Sequence, residues 1–302
     1  MNQQHRPEHR FPDFLGIGAN RGGSSWLYRV LAHHPEVWLP PVKEIHFFDR
    51  PAVGRRIAKY FGKEGAVRVR DYLTGDAFRT SGDGLLRNLA WDFHYLLRPQ
   101  SDQWYIDLFR PHHGQITGEV TPAYAILDQA EVCRIAAANP SLKALFLLRN
   151  PIERGWSSLV NNLAKKQRRN IRAASFDEMR RRIDARGFQL RSDYARTITI
   201  WREVFGPDRL FIGYMEQIKS EPHTLLQQVC DFLAIDPVAP AAAAQLGAGV
   251  NTTRKYSAPM PPQLRRYMAE SLLDSIERTH RLLDNRYSAA WLADARSALK
   301  ST

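Results

Sequence analysis

The sequence predicts a single α/β domain built on a doubly wound parallel sheet flanked by helices. Three observations predict it. Short apolar runs alternate with helix-period segments along the chain. The first run enters a Gly-rich turn that opens directly into a helix. No Pro/Gly/Ser-rich linker or shift in composition divides the 302 residues. Strand–helix alternation of this kind buries a parallel sheet between helices, with ligands at the carboxyl ends of the strands. A chain of this length with 44% hydrophobic residues can bury one large core or two modest ones, and the missing linker selects one. Residues 1–12 read as a flexible N-terminal segment and 13–302 as the domain.

The elements follow in order. Asp13 to Gly18 reads as a buried parallel strand, and Ser24 to about Ala32 as the first helix. Ile116–Val120 and Leu142–Leu148 are short and apolar, as buried strands are. Between them Asp128 caps a helix running to about Ala138. After the second run, Asn150 stands at the N-cap and Pro151 at the first helical position. That helix passes Ser157 toward Lys165. Ser175-Phe176-Asp177-Glu178 is a capping box for another. Arg209–Tyr214 is a further strand, Ser220 starts a helix through Phe232, and an amphipathic helix from about Pro262 to Leu283 closes the chain.

The turn after the first strand, Gly18-Ala19-Asn20-Arg21-Gly22-Gly23-Ser24-Ser25, has the layout of a phosphate cradle. Glycine lets backbone approach an anion, and the helix N-terminus offers unpaired N–H groups and a positive dipole end. The spacing is P-loop-like without matching a nucleotide triphosphatase loop. Ser24 stands where the loop Lys belongs, and the one cation, Arg21, lies inside the turn. The second strand-to-helix transition places Arg149 at the strand end and Ser157 two turns into the helix. A Mg²⁺-dependent P-loop enzyme commonly ends that strand in an acid; a cation there suits a second phosphate.

The chain carries 43 Lys and Arg against 31 Asp and Glu, a formal charge of +12, which favours polyanionic partners. Much of the excess lies in Lys165–Arg172 and Arg180–Arg182, read as a solvated loop and helix face. No base-reading motif accompanies them, so nucleic acid is not expected as a partner. Residues 1–10 lack an apolar signal region, and no apolar stretch is long enough for a bilayer, which predicts a cytoplasmic protein without membrane attachment. Two cysteines, Cys133 and Cys230, exclude a disulfide framework, and the histidines lack metal-site spacing, so no metal is expected. Read from residues alone, a nucleotide kinase or triphosphatase and a non-enzymatic polyanion binder stay open as alternatives.

Five segments together resemble the sulfotransferases that use 3′-phosphoadenosine 5′-phosphosulfate. The turn at 18–25, with Trp26 after it, is similar to their 5′-phosphosulfate loop. Leu148 to Ser157 is similar to the 3′-phosphate motif. Lys43-Glu44-Ile45-His46-Phe47-Phe48 resembles a segment of the glycan-type, heparan sulfate branch and its bacterial relatives, as does Gly118 to Tyr124. Asn251 to Tyr256 resembles the late loop that folds over the cofactor's phosphate and adenine. The matches run in the family's order from about residue 13 to 285. Two departures stand out: Arg21 replaces the usual Lys, and Thr253 replaces the Gly that usually precedes the late-loop Arg.

The resemblance implies a P-loop-like fold and in-line sulfuryl transfer to a hydroxyl or amine of a small-molecule or glycan acceptor. It implies cofactor contacts from Arg21, Gly22, Gly23, Ser24, Ser25, Trp26, Arg149, Ser157, Tyr214, Thr253, Arg254 and Lys255. Read from residues alone, Trp26 and Tyr214 are core-packing aromatics. Glu44 is implied as the base, with His46 two residues on as orienting group or alternative base, and Arg21 with Lys43 as stabilising cations. Glu119 is open between a structural acid and an acceptor contact. Oligomeric state is open.

Overall fold

The computed structural model describes residues 11–49, 84–166, 171–236 and 258–300. The described strands are β1 (Phe14–Gly18), β2 (Val37–Trp38), β3 (Ile116–Val120), β4 (Lys143–Leu148) and β5 (Leu210–Tyr214). They form one sheet in the order β2-β3-β1-β4-β5, parallel throughout. β1 therefore lies at the centre, with the chain crossing to one side and then the other. That reversal opens a crevice at the carboxyl ends of β1 and β4, where such sheets bind ligands.

Strand sequence explains the two-sided burial. Along β4, Ala144, Phe146 and Leu148 enter one apolar cluster, while Leu145 and Leu147 enter a second on the opposite face. This is the period of two expected of a strand covered on both sides. The second cluster is covered by α1 (Ser24–Ala32), whose Trp26, Leu27, Val30 and Leu31 are buried. Gly118 on β3 lets the sheet close: a Cβ there would stand 2.3 Å from the Phe14 ring.

Most predicted elements stand where the sequence puts them. Asp128 caps α4 (Gln129–Ala138) by accepting the Glu131 N–H. Asn150 caps α5 (Pro151–Val160), accepting the N–H groups of Ile152 and Glu153. Ser175 caps α6 (Phe176–Asp184). Three readings need correction, and some helices were not read. Phe11 is buried against Phe48 and Tyr105, so the folded domain starts before residue 13. Leu85–Leu97 is a helix, α2, and Asp102–Ile106 a short one, α3. The helix read from Ser220 through Phe232 is α10 (Pro222–Leu233); Ser220 instead ends a separate short helix, α9 (Met215–Ser220), because Pro222 fits a first turn and cannot continue a preceding one. The helix ending at Leu283 (α11, Pro262–Leu283) does not close the chain. Asp284 turns left-handed and Asn285 accepts the N–H groups of Tyr287 and Ser288, starting α12 (Arg286–Lys300). Between α6 and β5 lie α7 (Arg186–Ser192) and α8 (Tyr194–Phe205).

No described helix is long and apolar enough to cross a membrane. Cys133 and Cys230 are both free thiols. Arg182 of the basic helix face pairs with Glu178, as a solvated face does.

Candidate active site

Two strand-to-helix turns meet at the crevice. The turn after β1 is tied to β4 by the Ala19 N–H, which donates to the Leu147 carbonyl at 2.7 Å. Its glycines are required by space. A Cβ on Gly22 would sit 2.4 Å from the Leu147 carbonyl oxygen, and one on Gly23, at φ 116°, 2.4 Å from Ile218. Gly23 is the N-cap of α1, so the first N–H groups of that helix, from Ser24 and Ser25, have no carbonyl one turn behind them. Gly22 differs from expectation: its N–H donates to the Ala19 carbonyl at 2.9 Å, so it shapes the cradle from within.

Arg21 joins the two turns. Held at φ 69°, it reaches across so that Nε donates to Ser157 Oγ at 3.0 Å, 136 residues away in sequence. Burial and the neighbouring Arg149 guanidinium both lower the Arg21 pKa. Two neighbouring guanidiniums make this corner of the crevice suited to an anion. Glu153 approaches Arg149 at 3.7 Å but is shared with Arg265 at 3.2 Å, so its compensation is divided.

Above α1 lies the segment Lys43–Asp49. Lys43 Nζ donates to the hydroxyls of Ser24 and Ser25, each at 3.2 Å, and to Glu44 Oε1 at 3.3 Å. An ammonium at a helix N-terminus opposes the dipole, and here the Glu44 carboxylate offsets it. Glu44 and His46 both adopt left-handed backbone, φ 64° and 61°. For residues with a Cβ that conformation costs of order 1 kcal/mol or more each, and it persists where surrounding structure enforces it. The result puts His46 Nε2 3.6 Å from Glu44 Oε2, with Nδ1 2.8 Å from Asp49 Oδ2. Asp49 thus fixes the ring so that the other nitrogen faces the Glu44 carboxylate.

The anchor of this segment is Glu119, which is a structural acid in this fold. It is buried and accepts hydroxyl hydrogen bonds from Tyr105, from Tyr124 at 2.8 Å and from Thr121 at 2.7 Å. Tyr124 in turn accepts the Phe47 N–H at 2.9 Å. Phe47 stacks on Tyr105 with centroids 4.2 Å apart. The segment 118–124 therefore clamps residues 43–49 from beneath. Burial raises the Glu119 pKa above 4.5, against the opposing pull of its three hydroxyl donors and of His46. A raised folded-state value stabilises the fold most below pH about 4.5, and that contribution is lost as pH rises through the raised pKa. Glu119→Gln is isosteric and lacks this titration. Its melting temperature is expected to gain on that of the native chain as pH rises from 4 to 8, read from parallel unfolding curves.

Two predicted contacts, Trp26 and Tyr214, are packed elsewhere. Trp26 does not line the cradle: its side chain is wholly buried and its backbone N–H donates to the Gly23 carbonyl. Tyr214 is packed in an aromatic stack with Tyr287, centroids 4.3 Å apart, and its hydroxyl accepts from Asn285. Thr253, Arg254 and Lys255 lie outside the described residues. Among the described residues, no group of three or more His, Cys, Asp or Glu side chains is arranged to hold a metal ion. The residue that sequence reasoning missed is Asp49. Its signal was its place three residues after His46, at the end of the same motif.

The sequence profile described as the sulfotransferase family matches residues 12–240, well over half of the chain. Human heparan sulfate glucosamine 3-O-sulfotransferase 6 is 27% identical over 231 residues, covering 76% of this chain and 54% of that protein. Mouse heparan sulfate glucosamine 3-O-sulfotransferase 3A1 is 26% identical over 232 residues, covering 75% and 46%. The chain thus spans about half the length of these relatives. In fold it is similar to a sulfotransferase from Alicyclobacillus acidocaldarius, with TM-score 0.62 at 23% identity over 93% of this chain and 98% of that one. It is also similar to the sulfotransferase domain of the Synechococcus PCC 7002 olefin synthase, with TM-score 0.54 at 17% identity over the full length of both.

Proposed function

The chain belongs to the sulfotransferase family, and from that premise we propose that it moves a sulfuryl group from 3′-phosphoadenosine 5′-phosphosulfate to a hydroxyl or amine acceptor. The observation that carries the reading is the 3.0 Å hydrogen bond from Arg21 to Ser157. It brings the loop suited to one phosphate against the helix suited to another, with Arg149 alongside. A donor carrying both a 5′-phosphosulfate and a 3′-phosphate matches that pair of cationic stations.

Residue roles follow from charge and placement. Arg21, Gly23, Ser24 and Ser25 would hold the 5′ side, and Arg149 with Ser157 the 3′-phosphate, with Thr253, Arg254 and Lys255 assigned to the same cofactor. When bound, the donor supplies an activated sulfuryl group whose leaving group is a phosphate. Arg21, Lys43 and the first N–H groups of α1 are placed to stabilise negative charge there, the kind of preorganised electrostatics that dominates group transfer. Glu44 takes the acceptor's proton. His46, held by Asp49, keeps the carboxylate in place and offers it a second proton carrier. A saccharide hydroxyl is the favoured acceptor, because relatives of similar sequence are glucosamine 3-O-sulfotransferases. A cytoplasmic setting, supported by the free thiols, completes the proposal.

Calorimetric titration with adenosine 3′,5′-bisphosphate, 5′-AMP and Mg·ATP tests the reading. The bisphosphate is expected to bind tightest, and Arg149→Ala to weaken it about 10²-fold while changing 5′-AMP little. Equal affinity for all three ligands overturns it in favour of a kinase or a general polyanion binder. The latter also predicts a steep salt dependence without 3′-phosphate preference.

A further inference from the structure

Arg154, on α5 between Arg149 and Ser157, is 0% exposed. Its Nη2 donates to Ser192 Oγ at 2.6 Å, and its guanidinium lies 4.9 Å over the Phe188 ring. Among the described residues Nε and Nη1 are buried without hydrogen-bond partners. No described carboxylate pairs with it. The charged groups acting on it include Arg191 and Arg149, both cations, beside the Tyr194 hydroxyl. Burial first, then these cations, lowers its pKa to about 10, which leaves it charged at neutral pH.

A buried guanidinium ordinarily has a carboxylate and a full set of acceptors, because desolvating an unpaired charge is costly. Packing does not require the charge here. The Ser192 hydroxyl donates to the Phe188 carbonyl at 3.0 Å and keeps that partner without Arg154. An apolar side chain of similar length would satisfy the same pocket. The charge does act on its surroundings through a low-dielectric path that solvent ions screen weakly. Arg149 lies within its electrostatic reach, and Tyr194, also coupled to it, donates its hydroxyl to the Arg149 carbonyl at 2.8 Å.

We infer that Arg154 is a positioning residue for the cofactor's 3′-phosphate: a cation left without an anionic partner inside the protein, so that the bound phosphomonoester serves as its counter-ion. The inference rests on the cofactor reading above. It accounts for an uncompensated charge on the helix that carries Ser157, one turn before it. It also implies that the ligand-free protein carries a destabilisation that the bisphosphate relieves and 5′-AMP does not.

The test compares the native chain, Arg154→Met and Arg154→Lys by calorimetry with adenosine 3′,5′-bisphosphate and 5′-AMP, and by thermal unfolding without ligand. Arg154→Met is expected to weaken the bisphosphate about 10–100-fold, to change 5′-AMP less than about threefold, and to melt no lower than the native chain. Arg154→Lys, which keeps the charge, is expected to recover most of the lost affinity. A purely structural role predicts a lower melting temperature with both ligands weakened alike, and that result overturns the inference. So does a Met variant that fails to fold, because the inference requires the ligand-free variant to be at least as stable. If the native chain itself does not prefer the bisphosphate to 5′-AMP, the cofactor reading fails first, and this pattern is distinct from a native preference that survives in Arg154→Met.

Discussion

Replacing Glu44 by Gln is expected to lower kcat by about 10²–10⁴-fold while adenosine 3′,5′-bisphosphate binds within about threefold of the native affinity. Gln keeps the shape of Glu44 and can still accept the Lys43 hydrogen bond at Oε1, so the segment over α1 stays in place. What it loses is the ability to take a proton from the acceptor nucleophile. Turnover and binding should therefore separate, the signature of a group that acts on the reacting atoms and not on the donor. His46→Asn and Asp49→Asn divide the roles further. His46 touches Glu44 only at 3.6 Å and is oriented by Asp49 at 2.8 Å. If Glu44 is the base, both variants fall by about tenfold, well short of Glu44→Gln. If His46 is the base, His46→Asn matches or exceeds Glu44→Gln. Steady-state rates with excess acceptor, beside calorimetry on each variant, read the outcome directly.

Gly22→Ala is the second large effect. The added methyl carbon would stand 2.4 Å from the Leu147 carbonyl oxygen and 3.1 Å from that of Ala19, both main-chain atoms. Neither can rotate away as a side chain can, and the Leu147 carbonyl already accepts the Ala19 N–H. The turn must lift off β4, which carries Arg21 away from Ser157. Loss of about 1–3 kcal/mol of stability is expected, with bisphosphate affinity falling by at least about 10²-fold. Gly84→Ala is the control. Its Cβ meets nothing within 4 Å, so it should stay within about 0.5 kcal/mol of the native chain. Urea unfolding and calorimetry on the two variants separate a local steric effect from a general intolerance of alanine.

The legible parts of this fold were those where one segment carries its own signal. β1, β3, β4 and β5 are short apolar runs, and α4, α5 and α6 begin at Asp128, Asn150 and Ser175, whose side chains accept the first free N–H groups. The unread parts had weaker local signals. In α2 the helix-period apolar residues Leu86, Leu89, Phe93 and Leu97 are exposed while Asn88, Trp91, Asp92 and Tyr95 are buried, so the apolar period does not mark the face that packs on the core. β2 has two residues, too few for an alternating pattern. The hairpin from α11 into α12 turns on Asp284 in a left-handed conformation, a position where Gly is the more readable mark.

The same division holds at the site. By itself the sequence determined the sheet type and the glycine turn with its displaced cation, because each is a local pattern whose chemistry is fixed by residue type and spacing. Tertiary structure alone decided that Arg21 meets Ser157 and that Gly22 shapes the turn through its own N–H. It alone showed Glu119 holding the Lys43–Asp49 segment through Tyr124 and Phe47. These are contacts between residues far apart in the chain. Their energies depend on burial and on which neighbour the fold brings within 3 Å, quantities that no stretch of sequence contains until the sheet has closed.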